Sequence, residues 1–322
     1  MNGRCRIAAV GVVVPARDEQ ERIGACLRSV RKAIDELPNG ITTAVTVVLD
    51  RCTDETPALV DELVRHWPAA AAVNIVAVGV RRAVDAPGPE PGRRTTASAG
   101  GIVVPGTGPG PADPYPGRRR DAGGAPPVQQ PHVVAGSGVG AVRDLGVRLT
   151  LERLRPHRLD ATWLLHTDAD TTVPPDWALA HLRHAEAGAC GVAGLADLSG
   201  GDRLSIAAQQ QYHALVGDRL DSDRHMHVYG ANLGMRADAY VAVGGFPTDG
   251  PGEDHGLWRR LDEAGYRLTC PTTEPVRTSA RLHGRADGGL ADLLRSLDSD
   301  RGAREPSTSR CRNCRRPDGS GS

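Results

Sequence analysis

The stretch Trp163-Leu164-Leu165-His166-Thr167-Asp168-Ala169-Asp170 runs an apolar strand straight into an Asp-x-Asp. Working outward, further acids fall beside other expected elements. Asp50 ends an earlier strand, Val45 to Leu49, and Glu253-Asp254 stands before a helix-like stretch marked by Leu257 and Leu261. In an open α/β sheet, ligands bind beyond the carboxyl ends of the strands. Carboxylates gathered there suit a hard divalent cation and a phosphate-bearing ligand. These residues point to an enzyme that handles a nucleotide diphosphate through a metal.

The flanking chain predicts the sheet that such a site needs. Ile7 to Val14 is a continuous apolar run ended by Pro15, as a parallel strand buried on both faces reads. Asp18 is expected to cap a helix, with Glu21 completing a capping box. Ile23, Leu27, Val30 and Ile34 form its apolar stripe. After the strand to Leu49, Thr56 is expected to cap a second helix with Pro57 at its first position. Val73 to Val78 reads as a third strand. This alternation predicts an α/β fold with a mostly parallel, Rossmann-like central sheet, helices on both faces, in a single domain. Further along, Val139, Val142, Leu145 and Leu149 mark a helix, and Pro174-Pro175 opens another. Gly191 to Leu195 reads as a strand, and Leu204 to Leu220 as a longer helix.

Composition narrows the function classes. Lys+Arg and Asp+Glu both total 39 in 322 residues, so no global charge invites nucleic acid or an anionic membrane. Phe246 is the only Phe, so the core must come from Val, Leu, Ile and Ala. Gly (39) and Pro (24) together approach a fifth of the chain, and at about 81–132 the sequence is Gly, Pro, Arg and small polar residues with no periodicity and few large apolar residues. That segment is expected to be a disordered insertion, with a mobile lid as the alternative. Residues 300–322 are expected to be a disordered tail, leaving one domain over 1–300. The seven cysteines show no disulfide pattern, and Cys311-Arg312-Asn313-Cys314 lacks two further zinc ligands nearby. No signal peptide is visible and no apolar run approaches the ~20 residues of a membrane span. The expectation is a cytoplasmic protein with no transmembrane segment, in contact with a membrane at most peripherally.

Each candidate site residue also has a plainer reading. Asp168 and Asp170 can share one cation, or can simply form a polar turn. Asp50 can accept from a nucleobase N–H or a ribose hydroxyl, or can start the turn before Pro57. Glu253-Asp254 offers a general base for an acceptor hydroxyl, or a charged first turn favoured by the helix dipole.

Taken in order, Val13-Val14-Pro15-Ala16-Arg17-Asp18-Glu19, Val47-Val48-Leu49-Asp50, Asp168-Ala169-Asp170, Gly244-Gly245-Phe246 and Glu253-Asp254 resemble the family 2 glycosyltransferases of GT-A fold. The resemblance covers about Arg6 to Gly289 apart from the insertion. It implies that Pro15, Ala16, Arg17 and Glu19, together with Asp50, hold the donor's nucleoside. It implies that Asp168 contacts ribose or metal, that Asp170 binds Mn²⁺ or Mg²⁺ on the diphosphate, and that Asp254 is the base of an inverting transfer. Arg143, in Gly138-Val139-Gly140-Ala141-Val142-Arg143, matches an element that faces the donor, with Val142 where a small Ala is more usual. His283 matches a late metal ligand of some GT-A enzymes, with a solvent-facing loop histidine as the alternative. The implied activity is transfer of a sugar, hexosyl by expectation, from a UDP- or GDP-sugar to an unknown acceptor hydroxyl. A nucleotidyltransferase is the enzyme alternative, although the acidic Pro15–Glu19 loop lacks the Gly-rich, basic character that a triphosphate needs. A catalytically degenerate nucleotide-sugar-binding protein is the other, motivated by the insertion and by Arg51-Cys52-Thr53-Asp54 after Asp50.

Overall fold

A computed structural model describes residues 6–67, 71–78, 138–200, 204–217, 220–221, 224–225, 227–248, 250–284 and 289–299. The expectations for 81–132 and 300–322 lie outside these residues. The chain opens with β1 (Ala9–Ala16), α1 (Ile23–Asp35), β2 (Thr42–Asp50), α2 (Thr56–Arg65) and β3 (Ala71–Val78). It continues with α3 (Val139–Arg153), β4 (Thr162–His166), β5 (Thr171–Thr172), α4 (Trp177–Glu186), β6 (Gly191–Ala193), β7 (Ala196–Ser199) and α5 (Ile206–Gly217). Then come β8 (Leu220–Asp221), β9 (Arg224–His225), β10 (Leu233–Arg236), α6 (Ala237–Ala242), α7 (Glu253–Glu263), β11 (Leu268–Thr269), β12 (Val276–Ser279) and α8 (Leu290–Ser299).

The main sheet has the order β11-β6-β10-β4-β1-β2-β3. Its pairings are parallel except at β10, which runs antiparallel to both β4 and β6. The alternation of side chains along the strands explains the continuous apolar runs. Val10, Val12 and Val14 of β1 pack with Ile23, Leu27 and Val30 of α1 in one cluster, while Val13 packs on the opposite face with Val147 of α3. Burying each such side chain contributes roughly 1.5–3 kcal/mol. Helix α3 lies close over β1: a Cβ on Gly146 would stand 2.4 Å from Val13 Cγ1, so only glycine admits this approach.

Two expected caps differ from what forms. Helix α1 begins at Ile23 with no side-chain cap, because Glu19 to Arg22 first makes its own turn. Asp18, at φ 51°, turns its carboxylate across the loop to the Thr53 amide at 2.6 Å. Thr56 lies inside α2, and its hydroxyl accepts from the Glu19 amide at 2.8 Å, while Asp54 accepts from the Thr56 amide at 3.0 Å. The expected helix Leu204–Leu220 is shorter, because Leu220-Asp221 pairs with Arg224-His225 as a two-stranded ribbon.

A second sheet, β5-β12-β7, stands beside the main one. The Thr171 hydroxyl donates to that of Thr278 at 3.0 Å, pinning β12 next to the Asp-x-Asp.

Candidate active site

Strands β2, β1 and β4 are neighbours and parallel, so their carboxyl ends share one edge. Asp50, the Pro15–Glu19 loop and Asp168 therefore arise side by side. Within the loop, Ala16 is buried, Pro15 half-buried and Arg17 exposed. Asp50 is buried, and Arg51 clasps both of its oxygens, Nε at 2.7 Å and Nη2 at 2.9 Å. Arg51 adopts the left-handed conformation, φ 51°, to fold back this way.

Arg143 reaches the edge from α3. Its Nη2 donates to Asp168 Oδ1 at 2.5 Å and its Nε to Glu253 Oε1 at 3.2 Å. Nη1 is buried without a hydrogen-bond partner among the described residues. Burial works against the arginine's charge, but Asp168, Glu253 and Asp254 together hold it protonated. A Cβ on Gly230 would lie 2.4 Å from Arg143 Nη2, so glycine there makes room for the guanidinium. The Gly230 amide also donates to Asp254 Oδ2 at 2.9 Å, and the His255 amide holds Oδ1 at 2.7 Å. Thus one arginine and one glycine connect the acid after β4 to the first turn of α7, where Asp254 stands half-buried. Glu253 is buried, and burial pushes its carboxyl up, with Arg143 opposing. His166, on the opposite side of Thr167 from Asp168, is buried and edge-on to Phe246; burial and then Arg143 hold its pKa well below the usual histidine range.

Asp170 is held from a third direction. Arg281, just beyond β12, pairs its Nη2 with Asp170 Oδ2 at 3.1 Å and donates Nη1 to Glu19 Oε1. The Thr278 hydroxyl lies 3.5 Å from Asp170 Oδ1. Burial raises the Asp170 pKa, against the pull of Arg281. His283 is exposed, and Arg281, two residues earlier, is the side chain from this segment that reaches Asp170. Arg281 and Gly230 are thus functional candidates that reading the sequence missed, since neither belongs to a local acidic or strand-end pattern.

The donor set fits a divalent cation. Glu19, Asp168, Asp170, Glu253 and Asp254 outnumber the guanidinia of Arg143 and Arg281 that contact them. The surplus is felt at Cys26, whose thiol lies 3.3 Å from the Asp168 carbonyl. Burial drives its pKa up, and Asp170, Asp168 and Glu19 add to the rise. Asp168 and Asp170 each commit one oxygen to an arginine and keep a second oxygen of the hard type that such a cation takes. Among the described residues, the one group of three His, Cys, Asp or Glu side chains with ligand atoms mutually within 4.8 Å is elsewhere, at Asp18, Cys52 and Asp54. No helix among them is long and apolar enough to cross a membrane.

No protein-family model matches the chain, and no curated protein matches it by sequence. Solved structures do. GalNAc-T7 with UDP, GalNAc and Mn²⁺ is similar at 12% identity and a TM-score of 0.51, over 90% of this chain and 47% of that one. Staphylococcus aureus TarS 1-349 with UDP-GlcNAc is similar at 12% identity and 0.49, over 90% and 65%. The mannosyltransferase PcManGT from Pyrobaculum calidifontis, with GDP-Man and Mn²⁺, is similar at 17% identity and 0.48, over 90% and 69%. The chain spans less than two thirds of the TarS piece and under half of GalNAc-T7. The likeness to GalNAc-T7 makes the fold that of the GT-A glycosyltransferases.

Proposed function

We propose that this chain transfers a sugar, hexosyl by our reading, from a nucleoside-diphosphate sugar to an acceptor hydroxyl with inversion at the anomeric carbon. The observation that carries the reading is the meeting of Asp168, Asp170, Glu19 and the Glu253-Asp254 turn at the carboxyl edge of β1 and β4.

In this reading the donor lies over the β1–β2 edge. Pro15, Ala16, Arg17, Glu19 and Asp50 border the nucleoside, and Asp168 faces the ribose. Asp170 and Asp168 would hold a divalent cation, Mn²⁺ or Mg²⁺, which when bound would neutralise charge on the departing diphosphate. GalNAc-T7, solved with UDP, GalNAc and Mn²⁺, supports that chemistry. Arg143 keeps Asp168 in place and retains Nη1 as a spare donor. Asp254, fixed by two backbone amides, accepts the acceptor's hydroxyl proton as that oxygen bonds to the anomeric carbon. The bond to the diphosphate breaks, and the nucleoside diphosphate leaves.

Titration with UDP, GDP, ADP and dTDP, with and without Mn²⁺, tests the donor site. Metal-dependent binding of one nucleotide, lost in Asp170→Ala, is expected. No binding of any of them sinks the proposal. Turnover with a matching sugar nucleotide should release nucleoside diphosphate; pyrophosphate release would mark a nucleotidyltransferase instead.

A further inference from the structure

We infer that Arg281 is the resident counter-ion of Asp170: it leaves that carboxylate when a divalent cation binds, and it then grips the donor's diphosphate. The second half rests on the proposed function, while the first half stands without it.

The argument starts from what the guanidinium touches. One side chain spans two acids from different loops, Glu19 after β1 and Asp170 after β4. Both acids are buried enough to need compensation, with side chains 4% and 10% exposed. Left alone, two such carboxylates so close to one cationic group would repel and take up protons. Arg281 therefore does in the metal-free protein what a cation would do, and on the same Asp170 carboxylate. A divalent cation on the other oxygen of that carboxylate would stand close to the Arg281 guanidinium and repel it.

Two arginines rest on the Asp-x-Asp, and only one is built to move. The Arg143 side chain is 3% exposed, locked between Asp168 and Glu253 and filling the space beside Gly230. The Arg281 side chain is 19% exposed and springs from the short segment after β12. Solvent reaches it, so it has an exit. Once displaced, it remains tethered to β12, which pairs with β5 directly after Asp170. A guanidinium held there is suited to bidentate contact with phosphate oxygens. Its other contact, Glu19, is already in place on the nucleoside side, so an arginine that leaves Asp170 and keeps Glu19 stays beside the donor.

The test measures Mn²⁺ alone first. Isothermal titration without nucleotide should show Arg281→Gln binding Mn²⁺ roughly tenfold more tightly than the unmodified chain, because a competing positive charge is gone. Arg281→Lys, which keeps the charge but cannot bridge both acids, should fall between the two, and it serves if Arg281→Gln does not fold. Unchanged or weaker Mn²⁺ binding in both variants overturns the inference. At saturating Mn²⁺, UDP or GDP should bind Arg281→Gln roughly tenfold more weakly, while the matching nucleoside binds equally to both proteins. Equal diphosphate binding overturns the second half. If the unmodified chain binds neither diphosphate, the proposed donor site fails, and the Mn²⁺ titration still decides whether Arg281 is the displaced counter-ion.

Discussion

Replacing Arg143 with Met should remove a charge that two carboxylates depend on while keeping most of the side-chain volume. The costs at the two acids differ. The Asp168 side chain is 36% exposed and can rehydrate, so its share is small. The Glu253 side chain is 9% exposed and has its Oε1 on Arg143 at 3.2 Å, so it is left as a buried anion. Breaking a buried pair by removing one partner costs about 3–5 kcal/mol, and the hydration of Asp168 places Arg143→Met near the lower end. The loss must also depend on pH, in a direction fixed by Glu253. Burial already raises its folded pKa above the ordinary 4.5, and Arg143 restrains that rise. In the variant the restraint is gone, so the folded pKa moves higher still. A carboxyl with a raised folded pKa favours folding below its unfolded pKa and loses that contribution as pH rises through the folded one. The destabilisation should therefore be largest near pH 8 and shrink towards pH 5, by at most about 1.4 kcal/mol per pH unit. Urea unfolding of both proteins at pH 5, 6.5 and 8 measures this. A penalty below about 1 kcal/mol, or one that is flat or grows on acidification, would refute the assignment of Arg143 as the counter-ion of Glu253.

Asp254→Asn should keep the fold and metal-dependent nucleotide binding while lowering the transfer rate about 10²–10⁴-fold, as expected when a general base is lost; retention of most of the rate in a coupled assay for nucleoside diphosphate release would remove Asp254 from that role. Asp170→Ala should abolish the Mn²⁺ dependence of nucleotide binding in a calorimetric titration, with a folded protein by circular dichroism. Gly230→Ala places a methyl 2.4 Å from Arg143 Nη2 and 2.9 Å from its Cζ, so it should displace the guanidinium and disturb the amide that holds Asp254. The expected result is a loss of about 1–3 kcal/mol in unfolding free energy together with a fall in kcat, and unaltered values for both would show that the site relaxes around the methyl.

How much of this could be read from the chain depends on whether a feature is local. The strands of the central sheet are legible because two-sided burial imposes a continuous apolar run, as in Val10 to Val14 and Trp163 to Leu165. The acids that follow them are legible for the same reason, since a strand's end is a local property. The caps are not. Asp18 and Thr56 carry the residue types of N-caps, yet each spends its side chain on a neighbouring loop, 35 and 37 residues away in sequence, because the carboxyl ends of β1 and β2 abut. A local pattern has no means of showing that a cross-loop donor will outcompete the helix's own amide.

The same distinction governs the charge of the site. Read along the sequence, Asp168-Ala169-Asp170 and Glu253-Asp254 look like unshielded negative charge. In the fold, Arg143 arrives 25 residues before Asp168 and 110 before Glu253, and Arg281 arrives 262 residues after Glu19. Ion pairs of that separation leave no periodic trace, and here they neutralise much of the charge that makes the motifs conspicuous. What a cation would feel is the excess of carboxylates over the two arginines, less the work of moving one of them aside. Acidic motifs therefore indicate where a cation would bind more securely than how tightly. If Arg281 is the displaced counter-ion inferred above, it sets that affinity while being one of the residues least distinguishable in the sequence, so the metal titration on its variants bears more directly on the strength of the site than substitution of the acids themselves.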